Sequence, residues 1–289
     1  MTTVVRPAPL ETAAAGILSV ECELTGNCQL ECSHCCTLSG PKVSHGDMTL
    51  ADWQRVVDDT AELGIPAIQF IGGEPTRSLS LLPLISHALC RGLEVEVYSN
   101  LTHVRPAMWA AFEQYGVRLA TSYYSNRADE HDRITGGRGS HARTRRNIIE
   151  ALERGIRLRV GIVHVHDGQR VHQAEAELRS FGIEDIRIDR ARGVGRAAAD
   201  SDTIPSVSEL CGRCFHNRLA VSPDGDVYGC ILSRFMPTGN VRREGLADIV
   251  RSEQFAQARS LIPAAGAACT PDDSSDCNPA STPACNPKH

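Results

Sequence analysis

From residue 17 to about residue 190 the sequence alternates strand-like and helix-like stretches six times, which restricts the fold more than any single motif does. "ILSVECEL" (17–24), "PAIQFIGG", "LEVEVYSN", "VRLATSYYS", "IRLRVGIVHV" and "EDIRIDRARG" read as strands, rich in β-branched residues or alternating apolar with polar ones. The stretches between them carry apolar residues at helical spacing. In "TLADWQRVVDDTAELG", Trp53, Val56, Val57 and Ala61 share one face and Thr49 stands at the N-cap. Further helices are expected over "LSLLPLISHALCRG", near 106–115, over 141–154 and over "GQRVHQAEAELRSFG". Repeated strand–helix units specify a parallel sheet with helices packed outside it, open or curled into a partial barrel.

The strands bear on that choice. A parallel sheet covered on both faces needs near-continuous apolar strands. Here Glu21 and Glu23, Glu94 and Glu96, Arg157 and Arg159, and Arg187 and Asp189 alternate with the apolar residues. Unpaired buried charge is costly, so these side chains either line a polar interior or stand at exposed strand ends. A curved sheet with a ligand-sized interior accommodates them. After residue 205 the alternation stops, and the tail "CTPDDSSDCNPASTPACNPKH" is too poor in apolar residues to fold around a core. A small C-terminal domain organised by a bound cofactor is therefore expected.

A net charge of -5 gives no electrostatic footprint for nucleic acid or an anionic membrane. No apolar run reaches the roughly 18 residues a membrane helix needs. The N-terminal "MTTVVRPAPLETAAAG" lacks the features of a signal peptide, so a cytoplasmic location is expected. The twelve cysteines fall in two groups, 22 to 90 and 211 to 285, with none between. A disulfide scaffold is small, secreted and loop-rich, whereas clustered cysteines in a chain of 289 residues favour metal ligation.

In "GNCQLECSHCCTLSGP" (26–41), Cys28, Cys32 and Cys35 form C-x-x-x-C-x-x-C in the loop after the first strand. Structural zinc normally takes four ligands in paired knuckles. Three close thiolates fit an iron–sulfur cluster with one iron open to an outside ligand. "IGGEP" (71–75) leaves the second strand, where two glycines let the backbone approach a ligand and Glu74 can accept from an amine.

With these motifs the chain resembles the radical S-adenosylmethionine (radical SAM) enzymes, whose signature follows the first strand of a partial (β/α)6 barrel. Cys28, Cys32 and Cys35 match the family's cysteines, and Gly72, Gly73, Glu74 and Pro75 its G-G-E-P. The resemblance implies a four-iron, four-sulfur (4Fe-4S) cluster on the three cysteines, with S-adenosylmethionine on the fourth iron and its amine at G-G-E-P. "YSN" ending in Asn100 falls where the family contacts the ribose, and Ser122 matches the serine of an S-x-D…H-D-x-I-x-G…N-I stretch, although Tyr124 replaces the aspartate. The family often has an aromatic residue after the third cysteine; here Cys36 either fills space or donates a hydrogen atom to a substrate radical. Cys214, Gly225 and Cys230 resemble the opening of a SPASM/twitch domain, an auxiliary-cluster module. Its usual second half is absent, and Cys211, Cys269, Cys277 and Cys285 are the further candidate ligands for at least one auxiliary iron–sulfur cluster. The fold class implied is α/β, a partial (β/α)6 TIM-like barrel over 17–204 with a small cysteine-rich SPASM/twitch-like domain over 205–289.

Cys22 and Cys90 read as packing residues, His34 as packing near the cofactor, and the arginines of "HARTRRN" as a solvated helix face. The activity implied is reductive cleavage of S-adenosylmethionine to a 5′-deoxyadenosyl radical that takes hydrogen from substrate. The leading expectation is a maturase that crosslinks or oxidises a ribosomally made peptide; the alternative is a small-molecule oxidase, for instance of an amino sugar alcohol. Such maturases often carry an N-terminal leader-recognition domain, and the barrel begins near residue 17. A separate leader-peptide-binding protein is therefore an expected partner, as is a reductant such as flavodoxin or ferredoxin. A non-catalytic iron–sulfur or zinc protein would explain neither G-G-E-P nor the strand–helix series.

Overall fold

The computed structural model describes residues 16–198 and 204–262. Cys269, Cys277 and Cys285 lie outside the described residues. Strands β1 (Ser19–Glu23), β2 (Ala67–Ile71), β3 (Glu94–Tyr98), β4 (Arg118–Ser122), β5 (Leu158–His164) and β6 (Ile186–Arg190) run parallel in the order 6-5-4-3-2-1. Helices α1 (Leu50–Glu62), α2 (Leu81–Cys90), α3 (Pro106–Gln114), α4 (Ala128–Thr135), α5 (Ser140–Glu153) and α6 (Val171–Ser180) connect them. This is the parallel α/β sheet that the alternation specifies, consistent with the partial barrel that the resemblance implies. Alternate positions along the strands, such as Val20, Ile68, Val97, Leu119 and Ile162, are buried in the helix-packed core.

Helix α1 shows how local sequence fixes an element. Thr49 Oγ1 accepts from the Asp52 amide at 3.2 Å, and the Asp52 carboxylate accepts from the Thr49 amide at 2.9 Å, a complete capping box. Trp53, Val56 and Val57 then face the core. Thr49→Ala should lower stability by about 1 kcal/mol, read as a lower urea midpoint with an unchanged m-value.

Two expectations are corrected. Cys90 is exposed, because the buried face of α2 is Leu81, Leu84, Ile85 and Ala88, and the last residue of the helix turns away from it. Cys22, by contrast, is fully buried. The described part of the C-terminal segment is not organised by a cofactor alone. β7 (Arg218–Val221) pairs in parallel with the free edge of β1, and β8 (Asp226–Tyr228) and β9 (Gly239–Asn240) extend the sheet antiparallel to nine strands. Leu219, Val221, Val227 and Phe255 join the same core as Val20 and Trp53. Helices α7 (Leu246–Arg251) and α8 (Glu253–Ser260), not expected from the sequence, cover this end. An added edge strand needs only one apolar face, so a segment of modest apolar content suffices. Among the described residues no helix is long and apolar enough to cross a membrane.

Candidate active site

The cysteine loop is braced at its root by the glycines that follow β2. Gly73 N–H donates to the Thr25 carbonyl at 2.6 Å and Glu74 N–H to the Asn27 carbonyl at 3.0 Å. Gly72 adopts φ +140, and a Cβ on it would stand 2.6 Å from the Thr25 oxygen. The outer edge of the loop docks on the C-terminal end of α4, where Glu31 N–H and Ser33 N–H donate to the carbonyls of Thr135 and Ile134, both at 3.0 Å. Gly136 follows at φ +65, and a side chain there would meet the Glu31 carbonyl oxygen at 2.8 Å. The glycine of the H-D-x-I-x-G stretch is thus required by the approach of the cysteine loop.

Glu74 is fully buried and its carboxylate is already engaged. Oε1 accepts from the Thr76 amide and hydroxyl at 3.0 and 2.7 Å and from Ser99 Oγ at 2.7 Å, while Oε2 accepts from the Asn100 amide at 2.8 Å. It ties the turn after β2 to the turn after β3. Asn100 Nδ2 lies 3.7 Å from Cys28 Sγ, and its carbonyl oxygens are held by Gln29, Thr102 and, from α5, Thr144. Asn147, also on α5, donates to the Leu101 carbonyl at 2.6 Å, which gives the N-I pair of the motif a positioning task. Pro75 opens a buried turn behind the site and does not border the cavity.

Cys28, Cys32 and Cys35 border a single cavity of about 290 Å³, together with Cys36, Gly72, Gly73, Asn100, Ser122, Tyr124 and His34. Tyr98 Oη and Ser122 Oγ are 3.0 Å apart on its wall, and the His34 ring meets Tyr124 edge-on at 5.0 Å. Burial pushes the Cys28 and Cys32 thiols up to about 12, so each needs positive charge to ionise. Iron held by these residues would supply that charge, since a coordinating thiol is deprotonated outright. Leu30 N–H, at 3.4 Å from Cys28 Sγ, and Thr37 Oγ1, at 3.3 Å from Cys35 Sγ, are partners for ligating sulfurs. Among the described residues no three His, Cys, Asp or Glu side chains converge on one point as ligands of a single ion. The three thiols instead line a cavity wall, an arrangement that fits a polynuclear cluster. Burial also pushes the Cys36 thiol well above its ordinary value and keeps it protonated.

Several of the charges on the strands are buried or half-buried and paired. Glu96 takes a bidentate pair from Arg159 at 2.8 and 2.6 Å and a further bond from Gln69. Glu21 pairs with Arg218 at 3.0 Å, and Glu23 with Arg234. Glu94 and Arg157 are exposed at strand ends. Burial, only partly opposed by Arg234, lifts the Glu23 carboxyl from 4.5 to about 7. Between those values the folded chain holds more protons at Glu23 than the unfolded one. Stability should therefore fall as pH rises through the window, by on the order of 3 kcal/mol, and hold at the lower level above it. Comparing urea midpoints near pH 5 and pH 8 checks this, and Glu23→Gln should flatten the difference.

At the C-terminal end Cys214 and Cys230 are buried with their sulfurs 2.6 Å apart, and Cys211 lies within electrostatic reach of both. The close approach of the two sulfurs pushes the Cys214 thiol up and Cys230 down. So placed, the two cysteines are brought together by the turn before β7 and the residues after β8.

Asp189, near the end of β6 and among the strand charges expected to line a polar interior, does border the cavity; the sequence reading missed Tyr98 on β3, His131 on α4, Arg192 and Arg196 beyond β6, and Ile231 and Leu232 after β8. Gly193 and Gly195 in "RARGVGRAA" are the one sequence signal for the middle group, since glycine marks close backbone approach.

Residues 22–179 match the Radical SAM superfamily, and residues 211–278 match SPASM, an iron–sulfur cluster-binding domain. The PqqA peptide cyclase of Rhodopseudomonas palustris is 29% identical over 127 residues, 44% of this chain and 34% of that protein. The AdoMet-dependent heme synthase of Methanosarcina barkeri is 31% identical over 123 residues, 42% of this chain and 35% of that protein. The chain thus matches about a third of the length of these two relatives. The fold is similar to that of Streptococcus suis SuiB bound to its precursor peptide SuiA, with a TM-score of 0.69 and 14% identity over 84% of this chain and 67% of that one. The superfamily match runs from β1 through α6 and takes in more than half of the residues; the chain belongs to the radical SAM superfamily.

Proposed function

We propose that the chain is a radical SAM maturase that crosslinks or oxidises a residue of a ribosomally made peptide. The observation that carries the chemistry is the placement of Cys28, Cys32 and Cys35 on one cavity that continues past the ends of β3 to β6. The peptide reading is supported by the likeness to a PqqA peptide cyclase and, in fold, to peptide-bound SuiB.

Cys28, Cys32 and Cys35 would hold a 4Fe-4S cluster. The chemistry supplied there is one-electron cleavage of S-adenosylmethionine, with methionine and 5′-deoxyadenosine as measurable products. The protein's own part is positional. Gly72 and Gly73 fix the root of the loop, Glu74 and Ser99 hold the Asn100 turn against Cys28, and Tyr124 and His34 exclude water. Cys36, which borders the cavity and is kept as S–H by burial, would give a hydrogen atom. Cys211, Cys214 and Cys230, with ligands from among Cys269, Cys277 and Cys285, would hold an auxiliary cluster. A flavodoxin or ferredoxin would supply electrons, and a separate protein would present the leader peptide.

A small-molecule oxidation is the second reading. Asp189 favours it: its carboxylate borders the cavity, gripped by Arg192 at 2.7 and 2.9 Å, and can accept from an amine or hydroxyl. The deciding experiment is anaerobic reconstitution followed by reductant and S-adenosylmethionine. Failure to release 5′-deoxyadenosine sinks the activity. Loss of two hydrogens or a new crosslink on a peptide encoded beside the gene supports the maturase, whereas turnover of an amino sugar alcohol alone supports the second reading.

A further inference from the structure

Arg196, in the loop leaving β6, grips the cysteine loop from outside it. Its Nε donates to the Cys32 carbonyl at 2.7 Å, its Nη2 to the Ser39 carbonyl at 2.6 Å and its backbone N–H to the Cys35 carbonyl at 3.0 Å. One residue thereby holds three carbonyls distributed over residues 32 to 39. Its neighbour Gly195, at φ +64, lies so close that a Cβ would stand 2.3 Å from the Cys35 oxygen and 2.7 Å from Cys36 Cα. The root of the loop is held by Gly73 and its outer edge by α4, but both contacts end by Ser33. Beyond Cys35 the chain turns on itself through Thr37–Ser39 and the left-handed backbone of Leu38 and returns to the root, where the Gly40 carbonyl accepts from the Cys28 amide at 3.1 Å. Between these points Arg196 ties it to the loop leaving β6. Arg196 also borders the cavity shared by Cys28, Cys32 and Cys35, and its charge favours the Cys32 thiolate. Among the described residues its guanidinium pairs with no carboxylate and meets only carbonyls.

We propose that Arg196 is the positioning residue of the iron–sulfur site: it sets the Cys32–Ser39 half of the loop in its ligating shape and leaves a positive charge beside the cluster that favours the reduced form. The proposal rests on the reading that Cys28, Cys32 and Cys35 hold that cluster. Reduction adds an electron, so a nearby cation stabilises the product and raises the midpoint potential. The shape follows from preorganisation, because a ligand set is only as well placed as the groups that support it.

Two substitutions separate these effects. Arg196→Met removes charge and fork together; Arg196→Lys keeps the charge, but one ammonium cannot span the carbonyls of Cys32 and Ser39. In the full-length apo chain, hydrogen–deuterium exchange at amides 32–39 should rise about tenfold in both variants, while β2 stays protected as the control for folding. In the reconstituted chain without S-adenosylmethionine, Arg196→Met should lower the reduced cluster about tenfold relative to oxidised at fixed poise, about 59 mV for one electron. Arg196→Lys should stay within about twofold of wild type in that ratio. Unchanged loop exchange in both variants, or equal potential shifts in both, would overturn the proposal. A wild-type chain that takes up no iron would instead sink the cluster reading, and the exchange arm would still decide whether Arg196 shapes the loop.

Discussion

Alanine in place of Cys28, Cys32 or Cys35 is expected to abolish 5′-deoxyadenosine formation while leaving the chain folded. Each of the three would supply one ligand, and the loop offers no ready substitute: Cys36 is adjacent to a ligand, but its backbone is packed against Gly195. Losing a partner outside the ligand shell costs roughly 10–100-fold in metal affinity or activity, so losing a ligand should cost more. Stability should change by no more than about 2 kcal/mol, because a thiol contributes little apolar volume. The measurements are iron per chain, 5′-deoxyadenosine and the urea midpoint. Cys90→Ala is the control: an exposed thiol on α2, it should move stability by less than about 0.5 kcal/mol and iron content not at all. Full iron and full cleavage in Cys32→Ala would show that the loop does not hold the cluster.

Gly73→Ala carries the second large effect, although it touches no ligand. The added Cβ would stand 2.4 Å from the Asn27 oxygen, 2.7 Å from its carbonyl carbon and 2.8 Å from the Gly26 oxygen. All three are backbone atoms just ahead of Cys28, so no side chain can swing aside to relieve the contact. The root of the loop must shift, which should cost about 1–3 kcal/mol and roughly 10–100-fold in cluster retention. Gly64→Ala makes the comparison. That glycine has φ +70 with nothing within 4 Å of its Cβ position, so the change costs only the left-handed backbone, about 1–2 kcal/mol. If Gly73→Ala retains iron as well as Gly64→Ala does, the bracing by Gly73 is not needed for binding.

These cases mark how much the sequence could say. The barrel was legible because its strands alternate: Val20 and Cys22 fall on one face, Glu21 and Glu23 on the other, and period 2 is visible without knowing any partner. The ligating cysteines were legible by spacing. The partners of the charges were not, since Arg218 and Arg234 lie about 200 residues from Glu21 and Glu23 and only the tertiary fold joins them. Arg196 was missed for the same reason: its contacts are to backbone carbonyls, which leave no trace in residue type. Glu74 was placed in the correct turn, but its carboxylate serves Thr76, Ser99 and Asn100, a detail set by the depth of burial. Cys90 was misread because two residues past Ala88 a helix has already rotated away from its apolar face.

β1 carries more than its five residues suggest. One edge pairs with β2 and the other with β7, while Glu21 reaches Arg218 and the Ile231 amide and Glu23 reaches Arg234. A chain cut at residue 204 would therefore be an unfinished sheet rather than a trimmed enzyme. It would show solvent a row of unpaired backbone groups ready to stack on a second copy, and would strand two carboxylates without their counter-charges. The described segment after residue 204 in this sense continues the barrel's own sheet, and the two parts share a single folding fate.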